Sequence, residues 1–139
     1  MLCIVYARVS TDEQARSGYS LGEQIRACRA RAAELAGPAA AILEFTDDMS
    51  GELLERPGLQ AALHVVRSQK VDFFVCLDPD RLARRLMLQL VVTDEIERTG
   101  CRLEFVQHDY QHTPEGRLFY QMRGAFAEYE KLKILERTS

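Results

Sequence analysis

Apolar and polar positions fall into two rhythms along this chain. Residues 2–9 are apolar apart from Arg8 and are followed by a polar segment, which predicts a buried strand. On it Ile4, Tyr6 and Arg8, and with them Ser10, share one face, while Cys3, Val5, Ala7 and Val9 share the other. Residues 10–20 are polar, contain Gly18 and predict a loop. Ser20-Leu21-Gly22-Glu23 has capping-box form and opens a helix that Gly37-Pro38 stops after about Ala36. Residues 41–45 predict a second strand and residues 46–56 a polar loop. Pro57 suits a first helical position, and Leu59, Leu63 and Val66 carry a helix to about Gln69. Residues 72–77 predict a third strand. Asp78 then serves as an N-cap with Pro79 behind it, and Leu82, Leu86 and Leu90 line one face of a helix reaching Gly100. Residues 102–106 predict a fourth strand, and Thr113-Pro114-Glu115 caps a last helix running to the end. Strands alternating with helices indicate an α/β domain built on a mainly parallel sheet. No repeat or linker interrupts it, so residues 1–139 read as one domain. The pattern of the last helix is still running at Ser139, which gives the expectation of a piece cut from a longer protein.

Composition narrows the class. A chain with 47% hydrophobic residues is neither disordered nor collagen-like. Its apolar runs, such as residues 2–7 and 73–77, fall far short of the roughly 20 residues of a membrane span. The first residues lack a basic segment and a cleavage site, so no secretory leader is predicted. Cys3, Cys28, Cys76 and Cys101 show no CxxC spacing and read as reduced, buried thiols of a cytosolic protein. His108 and His112 are four apart without a carboxylate or cysteine at ligand spacing, so no metal site is expected there.

The net charge of −3 gives no long-range attraction for nucleic acid. The kind of base is more informative. Of 18 basic residues only Lys70, Lys131 and Lys133 are lysines, and the rest are arginines, whose planar fork binds phosphate through two bonds. Arg8 and Ser10 lie at the carboxyl end of a predicted strand, where open α/β sheets place their ligands. A charged arginine in an apolar strand is costly unless it meets an anion. Ser10 also has a plain reading as an N-cap, since Ser10-Thr11-Asp12-Glu13 has capping-box form. After the third strand, Arg81, Arg84 and Arg85 stand at i, i+3 and i+4 on the first turns of the predicted helix, either as a solvated cluster or as an anion site. The loop after the second strand carries Asp47, Asp48, Ser50, Gly51 and Arg56, which suit turn chemistry or, through paired carboxylates, Mg²⁺.

Taken together these segments resemble the catalytic domain of the serine recombinases, the resolvase/invertase family, and most of all its large serine integrase branch. Tyr6-Ala7-Arg8-Val9-Ser10-Thr11-Asp12-Glu13-Gln14 is similar to the nucleophile motif, with Ser10 in the nucleophile's place. Ser20-Leu21-Gly22-Glu23-Gln24, after a long spacer, matches the next segment, and Phe45-Thr46-Asp47-Asp48-Met49-Ser50-Gly51 with Arg56 matches the one after it. Asp80-Arg81-Leu82-Ala83-Arg84 matches the arginine motif. Thr113-Pro114-Glu115-Gly116-Arg117, Glu128-Tyr129-Glu130 and Ile134-Leu135-Glu136-Arg137-Thr138 match the start and body of the long helix. Five motifs in register are specific where each alone is not. Lys131 departs from the pattern, since many members carry arginine there.

The resemblance implies a three-layer resolvase-like fold with a long C-terminal helix over residues 113–139. It implies site-specific DNA recombination in which Ser10 attacks the scissile phosphodiester and forms a 5′-phosphoserine link, with strand exchange and religation to follow. Arg8, Arg56, Arg81 and Arg84 are then the cations around the phosphate, and Gln24, Asp47 and Ser50 position the substrate. Asp80 matches an aspartate proposed to handle protons. Its expected place at a helix N-terminus among arginines favours the ionised form, hence an orienting or base role. Met122, Phe126, Tyr129 and Glu130 fall on the long helix as an interface between subunits. The implied partners are DNA and further copies of the chain, a dimer that becomes a tetramer in the synaptic complex, with no membrane. No metal or cofactor is implied, because one phosphodiester is exchanged for another and arginines stand in for metals. The resemblance further implies a cytoplasmic protein encoded by a bacterium or phage, with DNA-binding regions beyond residue 139. Two other readings compete: a DNA-binding or regulatory module that has lost catalysis, and a metal-dependent phosphoryl-transfer domain using Asp47 and Asp48.

Overall fold

The computed structural model describes residues 1–9, 19–48 and 56–138. Its centre is β1 (Leu2–Arg8), which pairs in parallel with β2 (Ala41–Asp47) on one side and β3 (Phe73–Cys76) on the other. β4 (Arg102–Phe105) pairs in parallel with β3, giving the order β2-β1-β3-β4. A strand enclosed by neighbours and covered on both faces must be apolar throughout, and residues 3–7 of β1 are fully buried.

Helix α1 (Leu21–Ala36) starts at Ser20, whose Oγ accepts from the Glu23 N–H at 3.1 Å, and ends at Gly37 with φ 91°. It buries one stripe at i, i+4 and i+8, with Gln24 against the Arg8 backbone and Cys28 and Ala32 against Cys3, Val5 and Val75. Tyr6 projects to the other side of β1 and meets Asp47 and Arg56, where α2 (Pro57–Ser68) begins. α2 buries Leu59, Ala62, Leu63 and Val66, and α3 (Leu86–Glu97) packs along β4. Right-handed crossovers that leave β1 and β3 in opposite directions put α1 and α3 on opposite faces. The expected α/β fold is thereby observed, a parallel sheet flanked by helices.

The chain divides into two units, residues 1–107 and 108–139. The second holds a 3-10 turn (His108–His112) and the long helix α4 (Pro114–Thr138). Thr113 joins them, its Oγ1 donating to the Tyr110 carbonyl and accepting from the Gly116 N–H, both at 2.9 Å. Gly116 is required by close approach, because a Cβ there would lie 1.6 Å from the Tyr110 carbonyl oxygen.

Two expectations are corrected. The second strand runs on to Asp47, because Thr46 and Asp47 continue the ladder opposite Ala7 and Arg8 despite their polar side chains. More consequentially, no single helix spans residues 79–100. A three-residue 3-10 turn (Pro79–Arg81) comes first, and α3 starts only at Leu86. Asp78 is not a side-chain cap for either. The reason lies in β1. An α-helix would need the carbonyls of Asp80 and Arg81 for the N–H groups of Arg84 and Arg85, and the Arg8 guanidinium takes both.

Candidate active site

The chain leaves β1 toward one sheet edge and β3 toward the other, so the crevice between their carboxyl ends is a switch point where α/β sheets bind ligands. Arg8 is the last residue of β1, and Asp78, Asp80 and Arg81 follow β3. Arg8 is fully buried, and its charge is compensated by acceptors. Its Nε donates to the Arg81 carbonyl at 3.2 Å and its Nη2 to the Asp80 carbonyl at 2.5 Å. In return Arg81 Nη1 donates to the Arg8 carbonyl at 3.1 Å. Arg56, also fully buried, donates through Nη1 to the same Arg81 carbonyl at 3.1 Å and to the Tyr6 hydroxyl at 3.0 Å. The Arg8 and Arg56 guanidinium groups thus meet on the Arg81 carbonyl, and the Arg81 guanidinium returns to the Arg8 carbonyl, so three arginines from three separate segments are joined at the switch point.

Asp47 and Gln24 hold this cluster from either side. The Asp47 Oδ2 accepts from the Tyr6 hydroxyl at 2.7 Å and from the Leu59 N–H at 2.8 Å, and its Oδ1 accepts from the Gly58 N–H at 2.8 Å. It satisfies the first N–H groups of α2 in place of Arg56, which makes no side-chain cap. With both oxygens so engaged, the structure favours turn and cap chemistry over the Mg²⁺ reading of Asp47 and Asp48. From α1, the Gln24 Oε1 accepts from the Arg8 N–H at 3.4 Å and its Nε2 donates to the Arg8 carbonyl at 3.1 Å. Gln24 fixes the backbone from which the Arg8 side chain departs. Burial pushes the Tyr6 pKa up, outweighing the lowering effect of Arg56, so Tyr6 stays a neutral donor to Asp47.

Asp80 is partly exposed, and its Oδ1 accepts from Gln89 Nε2 at 3.2 Å. Its expected place in the first turn of a helix running from residue 79 is corrected: it sits in the 3-10 turn, six positions before the first residue of α3. Arg81, Arg84 and Arg85 do not share a helix face either. Arg81 turns inward, 5% exposed, while Arg84 and Arg85 are exposed. Ser10 and Ser50 lie outside the described residues. In the second unit Met122, Phe126 and Tyr129 are exposed along α4 and Glu130 is half-buried.

Two side chains at the site have no role in the sequence reading. Tyr6 was visible as a face-mate of Arg8, but nothing in the sequence pairs its hydroxyl with Asp47 and Arg56, 41 and 50 residues away. Gln89 carried a weak signal, a polar residue inside the apolar run Leu86-Met87-Leu88-Gln89-Leu90. The four cysteines are free and buried, as expected, and burial pushes the thiols of Cys28 and Cys101 up to about 12.

Comparison with known proteins agrees with this architecture. Residues 3–139 match the family described as "Resolvase, N terminal domain". A Bacillus subtilis (strain 168) protein named for DNA recombination is 45% identical over 136 residues, 97% of this chain and 26% of that protein. The DNA-invertase of Escherichia phage P1 is 34% identical over 138 residues, 99% of this chain and 66% of the invertase. The chain therefore spans a quarter to two thirds of these relatives. Among solved structures, the N-terminal catalytic domain of TP901-1 integrase is similar with a TM-score of 0.69 and 28% identity, covering 94% of this chain and 97% of that one. With the family matched over nearly its whole length, and with the fold to accompany it, this chain belongs to the resolvase N-terminal domain family.

Proposed function

We propose that this chain is the catalytic domain of a serine site-specific DNA recombinase. Ser10 follows Val9 directly after β1, two residues beyond the buried Arg8. In the proposed reaction the Ser10 Oγ attacks the scissile phosphorus. The Oγ–P bond forms, the P–O3′ bond breaks, the serine proton leaves to a base, and the departing 3′ oxygen takes up a proton. The product is a 5′-phosphoserine and a free 3′-hydroxyl. After exchange, a 3′-hydroxyl attacks the phosphoserine and restores both the phosphodiester and the serine. Bond energy is conserved, so no nucleotide cofactor is consumed.

The observation that carries this reading is the convergence of Arg8, Arg56 and Arg81 at the switch point. A phosphoryl transition state gathers charge on its oxygens, and fixed cations stabilise it most where they need no reorganisation. Arg84, exposed beyond the cluster, is the arginine that reaches an incoming phosphate first, while Arg8 and Arg56 are held ready behind it. Asp80 orients an arginine or accepts a proton. Gln24 and Asp47 act on substrate through Arg8 and Tyr6, and Ser50 completes the substrate side. We further propose that the chain pairs as a homodimer, and as a tetramer on two DNA sites, through the α4 stripe of Met122, Phe126 and Tyr129 with Glu130 beside it.

A suicide DNA duplex, nicked so that religation cannot occur, tests the reading in the full natural protein. A covalent protein–DNA band on denaturing electrophoresis, formed in chelator as well as in Mg²⁺, is the expected result. DNA cut only with Mg²⁺ and without a covalent band would support the metal-dependent alternative, and uncut DNA under either condition would support the non-catalytic one.

A further inference from the structure

Gln89 is a buried polar side chain that the proposed chemistry leaves unused. It is 3% exposed and is the fourth residue of α3. Helical side chains lean toward the N-terminus, so Gln89 reaches back over the segment that precedes its own helix. Its Nε2 donates to Asp80 Oδ1 at 3.2 Å and to the Ala83 carbonyl at 2.9 Å. A carbonyl, like an ionised carboxylate, is an acceptor alone, so the amide nitrogen and not its oxygen must face this pair. The helix does not need the side chain, because the Gln89 backbone N–H already donates to the Arg85 carbonyl at 3.0 Å. From β1, Arg8 grips the carbonyls of Asp80 and Arg81. The segment bearing Asp80, Arg81 and Arg84 is therefore held from two directions, by a charged fork and by a neutral amide.

We propose that Gln89 is a positioning residue, whose amide aims the partly exposed Asp80 carboxylate and fixes the 80–84 segment so that Asp80 and Arg84 meet the reacting phosphate in one arrangement. This rests on the recombinase reading. The amide supplies a donor to the Asp80 carboxylate without adding charge to a site already rich in arginine. Among the described residues, Arg8 reaches the Asp80 carbonyl from β1, the Arg81–Asp78 ion pair flanks Asp80 on its own segment, and α3 contributes the neutral Gln89 amide.

Gln89→Met keeps an unbranched side chain of similar length and removes the donor. Two measurements are made. In the 139-residue chain, the Asp80 carboxyl is titrated by NMR. In the full natural protein, single-turnover cleavage of the suicide duplex is followed against pH, with DNA affinity alongside. Loss of a hydrogen bond to the ionised form raises the Asp80 pKa. The expected result is that rise, a cleavage rate about 10- to 100-fold lower near neutrality, an acidic limb displaced to higher pH, and unchanged DNA affinity. Gln89→Glu displaces the limb further, because two adjacent carboxylates share a proton. An Asp80 titration and a pH profile that both match the wild type would overturn the proposal. So would lower cleavage with an unmoved profile, which marks Gln89 as packing. If the wild-type protein forms no covalent link, the recombinase reading falls, and the Asp80 titration still decides whether Gln89 sets that carboxylate.

Discussion

At the scale of single residues, the site is organised by what each arginine donates to. Arg8 uses two different nitrogens of one fork on two successive carbonyls. A lysine at this position carries the charge but cannot span both. Arg8→Lys is therefore expected to lower suicide-substrate cleavage by about 100-fold or more while DNA affinity changes little. Near-normal cleavage in gel assays of that variant would remove the fork from the mechanism. Tyr6 is the complementary case, since its hydroxyl links Asp47 to Arg56 in a buried setting. Tyr6→Phe leaves both short of a partner and should cost about 1–3 kcal/mol in urea unfolding. The sequence made Arg8 conspicuous because charge in an apolar strand demands an explanation. It could not reveal Tyr6 as a hydrogen-bonded bridge, because a buried tyrosine reads as core until the partner of its hydroxyl is known.

At the scale of elements, the strands and the first two helices were legible because their local chemistry agrees with their tertiary role. Ser20 caps α1, Pro57 starts α2, and the stripe of Leu59, Leu63 and Val66 points into the core. The segment after β3 was misread for a physical reason. Asp78-Pro79-Asp80 is a sound helix start locally, but Arg8 intercepts the carbonyls from a strand more than 70 residues earlier. Tertiary contact overrides local preference where the site is built. The join between β2 and α2 shows how closely elements are fitted beside it. A Cβ on Gly58 would lie 2.2 Å from the Thr46 carbonyl oxygen and 2.9 Å from Asp47 Oδ2. Gly58→Ala must push α2 away from β2 and stretch the hydrogen bonds to Asp47, with an expected loss of about 1–3 kcal/mol in denaturant unfolding. Unchanged stability would mean that α2 moves aside from β2 without cost.

At the scale of the whole molecule, two features lie outside the site. The net charge of −3 means that arginines must act locally and not as a general attraction for DNA. Along α4, Leu118, Met122, Phe126, Tyr129, Leu132 and Leu135 are all exposed. Apolar side chains presented in such number mark an interaction surface more often than solvent-facing helix. Met122→Glu with Phe126→Glu is expected to shift sedimentation toward monomer, and a wild-type chain that stays monomeric over a wide concentration range would contradict the proposed pairing. Fold and family were readable from the sequence because the motifs stand in order along it. The partners of Asp47, Asp80 and Gln89 were not, because they are set by distances in space.

The most direct test of the account is to locate the covalent link itself. After reaction of the full natural protein with a suicide duplex, nuclease and trypsin digestion release the peptide of residues 9–16, bounded by Arg8 and Arg16. The account predicts that mass spectrometry finds a 5′-linked nucleotide on Ser10 of this peptide, and that Ser10→Ala abolishes the link. A nucleotide attached to any other residue, or a link that survives Ser10→Ala, would contradict it.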